Sequence, residues 1–585
     1  MPSARLSLGI AALAAISLST ISTIAATAQV VVAPSKPVIG SSNTVSADPT
    51  VPRPDTKPCT VTLFSNLEFA DYNTKDYSYT PPADCPGPWA KVVFTSDFTV
   101  TAGVQFDRSE QFYLGGANLL YGTTAEPREA LSPYWHVEND VTDLTAILKS
   151  PQAGTAILGN FVGVYDGTDY NGLIYATAKL LFYPVGKNAP AATTPDVVIG
   201  MPGNGGAYTL NTSADQLTQS ITLPTNTEKV YLDVISQNQS SDEFYYLCVP
   251  NDVATELESC GNTGYRETEI SIDGTPAGVA PVYPWIFTGG IDYFLWYPIP
   301  GVQTLNLKPF RVDLTPFAGL LANGKAHTVG ISVFNANSYY LSTANLYAYT
   351  DKGTEKVTGS VLTNTLAATP KPQITEKLKT DASGDVTGSV EVASTRKYTI
   401  TGNLHTSHGV VTTKVDANIS FDNTQDFIID ATEYKQDLTE YTNGQITTTT
   451  TGGGQNSTDQ RVIFYPFTFL YDEVVNNDGT LTVTNKSDQK YLVNFDGVKA
   501  GSPFGLPIPF VSATANEVQS TNYLYYDASG NYTGNSGNSS QNYVVVDSAG
   551  YCYSGTLDSK NLVLTAANYG QLCAPFQGPA GLGVR

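Results

Sequence analysis

Short runs in which apolar and polar residues alternate recur along the whole chain. A period of two places every second side chain on the same face, which is the pattern of a half-buried β-strand. Turn-forming residues bound these runs, and segments with a helical period are few. The clearest runs are 61–69, 91–100, 179–185, 229–236 and 268–274. The alternation therefore predicts an antiparallel all-β protein.

A chain of 585 residues is long enough for two to four domains, each with a core of its own. We expect a first β-domain at 58–190, a second at 191–350 and a further β-rich region at 351–585.

In the third region the runs 389–404 and 414–421 predict strands. The segments 447–460 and 531–542 are rich in Thr, Asn, Ser and Gly, and we interpret them as loops. Acids, histidines and aromatic residues are not concentrated anywhere in this region, so it has a structural or substrate-positioning role in our interpretation.

The N-terminal residues have the pattern of an export signal. Arg5 precedes a short apolar stretch, and Ala26-Thr27-Ala28 forms a cleavage site, so 1–28 is predicted to be a signal peptide rather than a membrane anchor. Residues 29–57, rich in Pro, Ser and Thr, are a linker or a propeptide, which would be removed by proteolysis. We expect a secreted or vacuolar protein without stable membrane association.

The net charge of −22 and the pI near 4.5 weigh against two classes of partner. Nucleic acids and anionic membranes would both repel such a chain.

An even number of cysteines, six, in an exported chain predicts disulfides. Proximity favours Cys59–Cys85, Cys248–Cys260 and Cys552–Cys573, although fifteen connectivities exist. Glycosylation sequons mark candidate surface positions at Asn211, Asn238, Asn418, Asn456, Asn485, Asn531 and Asn538.

Polar and charged residues concentrate between 104 and 148. The alternation predicts a strand from Val104, with Asp107 on one face and the pair Arg108 and Glu110 on the other. The pair could be a salt bridge at a sheet edge, or part of a site. The run 140–148 predicts a strand end, an Asp/Thr cap and a short helix.

A second group lies at 240–250, where Asp242 and Glu243 precede aromatic residues that include Tyr245. A carboxylate among aromatic rings, tethered through Cys248, is placed to have a raised pKa. An exposed acidic turn is the alternative. Trp135 and Trp296 are candidates for contacts with sugar rings, or for core packing.

Other catalytic schemes lack their motifs. The chain has no G-x-S-x-G and no H-E-x-x-H. His136, His327, His405 and His408 show no metal-ligand spacing joined to acids. Carboxylates therefore remain as the candidate catalytic groups, and we expect no metal and no cofactor.

Several segments resemble the plant and fungal glycoamidase family called peptide N-glycanase A. They are VQFDR, YLGG, LYGTTAEP, DEFYY, FTGGIDYFLW and VDLTPFAGLL. A more distant similarity runs to the bacterial peptide N-glycanase F, through Asp107-Arg108 and the segments 138–148 and 223–232. Phe106 stands where the bacterial pattern has Trp.

The resemblance implies two adjacent jelly-roll sandwiches with an active site between them. It also implies hydrolysis of the bond between asparagine and N-acetylglucosamine in an N-glycoprotein or glycopeptide, with release of the glycan as a glycosylamine. Asp107 matches the family carboxylate that acts on water, Glu243 is the second catalytic carboxylate, and Arg108, Glu110 and Asp242 are supporting residues. An endoglycosidase and a non-catalytic glycan-binding module are the alternatives.

Overall fold

The all-β prediction is confirmed by a computed structural model of the chain. Helix is limited, among the residues that the structure describes, to two four-residue α-helices and a few 3₁₀ turns. The helices are α1 (Thr145–Leu148) and α2 (Ala318–Leu321), and the 3₁₀ turns are Thr142–Leu144, Ser240–Asp242, Tyr245–Leu247, Tyr293–Trp296 and Thr315–Phe317. The described residues are 29–30, 37–127, 131–203, 206–454, 456–499 and 508–570. None of the helices in this part of the chain is both long and apolar enough to cross a bilayer.

Two antiparallel four-stranded sheets form the first body. One has the order β3 (Cys59–Phe69), β12 (Ile174–Pro184), β5 (Trp89–Val100), β8 (Tyr134–Asp140). The other has the order β4 (Lys75–Tyr79), β9 (Gln152–Leu158), β6 (Ser109–Leu114), β7 (Ala117–Thr123). Alternate side chains of both sheets, among them Phe94, Phe98, Phe112 and Leu158, enter one hydrophobic core. A two-stranded hairpin stands apart from the two sheets, β10 (Gly163–Tyr165) and β11 (Thr168–Tyr170).

The second body is built in the same way. Its first sheet contains β13 (Val197–Met201), β21 (Asn337–Thr350), β16 (Thr227–Asn238) and β19 (Phe310–Asp313), with β14 (Tyr208–Thr212) also paired to β21. Its second sheet has the order β15 (Leu217–Ile221), β20 (His327–Phe334), β17 (Glu267–Ile272), β18 (Thr275–Pro281). Both sheets contribute to one core. The jelly-roll connectivity and the domain boundaries stay predictions.

The predicted Asp/Thr caps occur at corresponding places in the two bodies. Asp140 accepts a hydrogen bond from the backbone N–H of Thr142, 3.1 Å away, at the end of β8 and ahead of α1. Asp313 accepts one from the N–H of Thr315, 2.9 Å away, at the end of β19 and ahead of α2. Each carboxylate thereby satisfies a backbone donor at the turn from strand to helix.

The C-terminal region forms one eleven-stranded antiparallel sheet. Its strands are β22 (Thr358–Asn364), β23 (Gln373–Thr380), β24 (Val386–Thr406), β25 (Gly409–Ile429), β26 (Glu433–Gly452), β27 (Ser457–Val475), β28 (Leu481–Lys499), β29 (Ile508–Tyr526), β30 (Tyr532–Asp547), β31 (Cys552–Lys560) and β32 (Val563–Gly570). The loop predictions were wrong for most of 447–460 and for nearly all of 531–542, which lie in β26, β27 and β30.

Backbone pairing on both sides explains why these polar segments are strands. β30 is bonded to β29 along one edge and to β31 along the other, so its backbone groups are satisfied whatever its side chains are. One face of the sheet packs on the core of the second body, and Tyr121 of the first body joins a buried cluster with residues of the same sheet. Buried amides such as Gln489 and Asn522 donate from the sheet to the segment 284–292.

The segment predicted to be a linker or propeptide packs against the rest of the protein over its described part. Ala47 is buried, and its N–H donates to Gln541 Oε1 while its carbonyl accepts from Tyr553 Oη. Arg53 forms a buried ion pair with Glu138 of β8. The first strand pair, β1 (Gln29–Val30) with β2 (Arg53–Pro54), also belongs to this segment. Whether it is removed by processing stays a prediction, as does the signal peptide, which lies outside the described residues.

Two predicted disulfides are confirmed, Cys59–Cys85 and Cys248–Cys260. The third predicted pair includes Cys573, which lies outside the described residues.

The surface interpretation of the sequons is wrong at two positions. Asn238 and Asn485 are buried and donate hydrogen bonds within the protein. The other five sequon asparagines are exposed.

Candidate active site

Asp107 lies in an irregular segment directly before β6, and this corrects the prediction of a strand from Val104. Side chains, rather than a neighbouring strand, accept from three successive N–H groups: Phe106 donates to Gln105 Oε1 (3.0 Å), Asp107 to Glu126 Oε1 (3.2 Å) and Arg108 to Thr124 Oγ1 (2.9 Å). The strict alternation of faces that a strand would impose on this segment is therefore absent.

The Asp107 carboxylate is half-buried and points towards a glycine of the second body. Its Oδ2 accepts a hydrogen bond from the N–H of Gly289, 3.2 Å away. Burial raises the pKa of Asp107, and the Gly289 hydrogen bond and the Arg108 charge oppose that rise. Asp107 is thus held by one body and contacted by the other.

Glu126 is the residue that the sequence reasoning missed. A Cβ added to Gly289 would collide with Glu126 Oε1 and would lie 2.8 Å from Asp107 Oδ1. Both carboxylates therefore flank the same point of the backbone. The TAEP and FTGG segments contained the signal, but only the fold brings them together.

Glu243 directly follows the 3₁₀ turn Ser240–Asp242 and is half-buried. Its pKa is raised from the usual 4.5 to about 7, first by burial and second by the negative charge of Asp107. The structure therefore brings the two predicted catalytic carboxylates into one electrostatic environment. Their catalytic roles stay predictions.

The C-terminal sheet holds the loop that carries Glu243. Asn423 Nδ2 donates to the carbonyl of Tyr246 (2.8 Å). Gln436 Nε2 donates to the carbonyl of Leu247 (2.9 Å), and Gln425 Nε2 donates to that of Cys248 (3.2 Å). Because all three amides are on strands of the C-terminal sheet, that sheet fixes the position of the loop together with the Cys248–Cys260 disulfide.

Arg108 and Glu110 do not form the salt bridge that was one reading of the sequence. Arg108 Nη2 donates to Gln105 Oε1 (2.6 Å), and its guanidinium lies over the ring of Phe106. Glu110 is fully buried within β6, where neither carboxylate oxygen has a hydrogen-bond partner among the described residues. Burial raises the pKa of Glu110 well above its usual value, so we assign Glu110 to the interior and not to substrate contact.

Asp242 also has a structural position. It is fully buried and forms an ion pair with Arg266, 2.8 Å between Oδ1 and Nη2. The N–H of Asn337 donates to its other oxygen. A carboxylate satisfied in this way is not available for direct contact with a substrate, so a supporting role could act only through the position of the adjacent Glu243, and that role stays a prediction.

Trp135 and Trp296, the candidates for sugar contact or core packing, are buried, and so is Tyr245, which was expected to be a substrate-binding or supporting residue. Trp135 stacks on Phe98 in the core of the first body, with 4.9 Å between ring centroids. Tyr245 and Trp296 belong to a cluster between the second body and the C-terminal sheet. A buried ring offers no free face to a sugar, so Trp135 and Trp296 fit the core-packing alternative, and a supporting role of Tyr245 stays a prediction.

His408 lies beside two carboxylates, a grouping that the spacing of the histidines in the sequence did not predict. Donor atoms of Glu228, Asp351 and His408 lie within 4.8 Å of one another. The Asp351 oxygens already accept hydrogen bonds from Gly353 and Ser407. The group stands at the turn between β24 and β25, apart from the Asp107 site.

Residues 49–367, more than half of the chain, match the family model described as peptide N-acetyl-beta-D-glucosaminyl asparaginase amidase A. A curated relative from Prunus dulcis, peptide-N4-(N-acetyl-beta-glucosaminyl)asparagine amidase A, is 30% identical over 383 residues. The alignment covers 62% of this chain and 65% of the relative, so the chain spans slightly less than two thirds of that protein.

Solved structures align more loosely. PNGase F, a glycosylasparaginase from Flavobacterium meningosepticum, aligns with a TM-score of 0.33 and 14% identity, over 50% of this chain and 96% of that one. PNGF-II aligns with a TM-score of 0.35 and 12% identity, over 50% of this chain and 66% of that one. These scores are too low for any residue role to be transferred.

Proposed function

The chain belongs to the peptide N-acetyl-beta-D-glucosaminyl asparaginase amidase A family, and on this basis we propose that it is a glycoamidase. The reaction is hydrolysis of the amide bond between an asparagine side chain and the first N-acetylglucosamine of an N-glycan. The peptide keeps an aspartate, and the glycan leaves as a glycosylamine.

One observation carries this proposal: two half-buried carboxylates of unlike character share one environment. Glu243, with a pKa of about 7, holds a proton at mildly acidic pH. Burial also raises the pKa of Asp107, but the backbone N–H of Gly289 and the charge of Arg108 oppose that rise and favour its ionised form, and no value as high as that of Glu243 results. Carboxyl groups whose environments differ in this way can divide the work of general base and general acid.

In the proposed reaction the Asp107 carboxylate takes a proton from water as the water oxygen attacks the side-chain carbonyl carbon. The carbon–nitrogen bond then breaks, and the Glu243 carboxyl group gives its proton to the departing nitrogen. A new carbon–oxygen bond replaces the carbon–nitrogen bond, so the products are aspartate and the glycosylamine. Glu126, whose Oε1 accepts from the Asp107 N–H, keeps the Asp107 backbone in place.

Digestion of a glycopeptide in heavy-oxygen water tests the reaction. An amidase yields aspartate with the label in its side-chain carboxylate. Asparagine that still carries one N-acetylglucosamine would identify an endoglycosidase, and unchanged substrate would identify a binding module. Asp107→Asn should lower turnover by about 10²–10⁴-fold, the contribution of a positioned base.

We also propose that the mature chain is exported, on the basis of the N-terminal signal pattern. Mass spectrometry of the N-terminus of the protein from its native source tests this, and an intact Met1 would contradict it.

A further inference from the structure

Exposed aromatic residues continue from the active-site turn onto the C-terminal sheet. Tyr293 and Phe294 are in contact, with 4.2 Å between ring centroids, and the Phe294 ring lies almost parallel to that of Tyr532 in β30. Tyr293 is 44% exposed and Tyr532 is 48% exposed. We call Tyr293, Phe294 and Tyr532 the aromatic face.

The aromatic face adjoins the carboxylates. Tyr293 lies four positions after Gly289, whose N–H donates to Asp107. The Tyr293 ring also meets the ring of Tyr297, and the Tyr297 hydroxyl donates to the carbonyl of Glu126, 3.4 Å away. The aromatic face is therefore connected to Asp107 through Tyr297 and Glu126, whose Oε1 accepts from the Asp107 N–H.

The turn that carries the face is anchored to the C-terminal sheet. Asp292 Oδ1 accepts from the N–H of Phe294, and its Oδ2 accepts from Asn485 of β28 (2.9 Å) and Asn522 of β29 (2.8 Å). Trp296 Nε1 donates to the carbonyl of Gly290. These bonds order the rings before any ligand binds, which lowers the entropy cost of binding.

We propose that the aromatic face binds the glycan beyond its two core sugars, so that the C-terminal sheet supplies part of the substrate-binding surface. This rests on the proposed function. Exposed rings that form a continuous patch mark binding sites, and aromatic rings offer apolar faces to the C–H groups of sugars. Hydroxyl and amide groups rim the patch: Tyr532 Oη donates to Asn535 Oδ1, and Tyr525 Oη bonds Ser536 Oγ.

A second group of exposed aromatic and apolar residues lies next to Asp107 in the chain, at Phe106 and the hairpin of β10 and β11. Its polar groups differ from those of the aromatic face. Phe106 packs on Tyr170 of the hairpin, and Val164 and Tyr165 of the same hairpin are exposed. The same hairpin exposes the carboxylates of Asp166 and Asp169, whereas the hydroxyl and amide groups that bond beside the aromatic face are uncharged, as sugar hydroxyls are. The rim of polar groups is the reason for assigning the glycan to the aromatic face.

Binding to an Asp107→Asn parent tests the proposal without turnover. Calorimetry compares one peptide in three forms: with an oligomannose glycan, with only the two core sugars, and without a glycan. Tyr532→Ala should weaken the affinity for the oligomannose form by roughly 3- to 10-fold, which is the range expected for the loss of one aromatic contact. Binding of the two-sugar form should be unaffected. Tyr532→Phe, which keeps the ring and loses only the hydroxyl of the rim, should bind the oligomannose form more tightly than Tyr532→Ala does.

Tyr441→Ala is the matched control, because Tyr441 is a 37% exposed tyrosine of the same sheet and should leave all three affinities unchanged. If Tyr532→Ala lowers the affinity for all three forms equally, or leaves the affinity for the oligomannose form unchanged, the proposal is overturned. Absence of any binding by the parent would overturn it too. Intact binding without label incorporation by the wild-type chain would overturn only the proposed function.

Discussion

The pKa of Glu243 makes turnover depend on pH. If Glu243 must carry a proton, activity falls as pH rises through about 7, the value to which burial and the Asp107 charge raise its pKa. A pH–rate profile checks this. Glu243→Gln should lower the rate by about 10²–10⁴-fold and remove that limb. A Gln variant with the wild-type profile would contradict the assignment.

The same shift affects stability. Because the folded state holds the Glu243 proton more tightly than the unfolded chain, the free energy of unfolding falls as pH rises from about 4.5 to about 7. Glu243→Gln should lose this part of the pH dependence in denaturant titrations.

Gly289→Ala should impair catalysis without unfolding the protein. The added methyl group would collide with Glu126 Oε1 and approach Asp107 Oδ1, and such a displacement costs about 10²-fold in rate. Gly186→Ala is the control, since its nearest contact would be at 3.9 Å. Equal rates for the two variants would show that the Asp107 geometry tolerates the shift.

At this scale the sequence pointed to Asp107 through its motif and to Glu243 through its aromatic surroundings, and their catalytic roles stay predictions. It preferred Glu243 to the adjacent Asp242 but could not show how the two side chains diverge. In the structure Asp242, in a 3₁₀ turn, pairs with Arg266, whereas the pKa of Glu243 responds to the charge of Asp107. It missed Glu126, because the contact that places that residue is made by a turn more than 150 positions away in the chain.

Among the elements, the turn Tyr293–Trp296 should depend on the C-terminal sheet. Asn522→Ala removes a hydrogen bond to the buried Asp292 carboxylate, and loss of a bond to a charged group costs about 1.5–3 kcal/mol. Thermal or urea unfolding measures the stability, and turnover should fall with it because Gly289 lies only four positions before the turn. Asn418→Ala, at an exposed asparagine of β25, should change neither quantity.

Alternation predicted the strands of both bodies, because each has one apolar face on a core. It failed for β30 and for the facing ends of β26 and β27, where Thr, Asn and Ser occupy both faces. Pairing with neighbours decides the structure there, and pairing partners are not visible in a local window of sequence.

At the scale of the whole molecule, residues 37–57 contact both the first body, through Arg53, and the C-terminal sheet, through Ala47. We call these residues the clamp and expect them to hold the two parts together. Arg53→Ala would remove one of two cationic partners of the buried Glu138, which keeps His136 Nε2 at 3.1 Å. The loss should therefore stay below the roughly 3–5 kcal/mol of a buried charge left without a partner. Lys352→Ala breaks the exposed Lys352–Asp196 pair and should cost under about 1 kcal/mol. Denaturant unfolding of both variants makes the comparison, and equal losses would contradict the clamp.

The clamp also reaches the last strand of the sheet. The N–H of Gly40 donates to the carbonyl of Leu564 in β32, and the N–H of Leu564 donates to the carbonyl of Ser41. During synthesis, residues 40 and 41 leave the ribosome more than five hundred residues before their partner exists. These two hydrogen bonds cannot form until residue 564 has been made. Residues 40 and 41 therefore reach their native contacts only after the strands of the C-terminal sheet up to β32 have been synthesised.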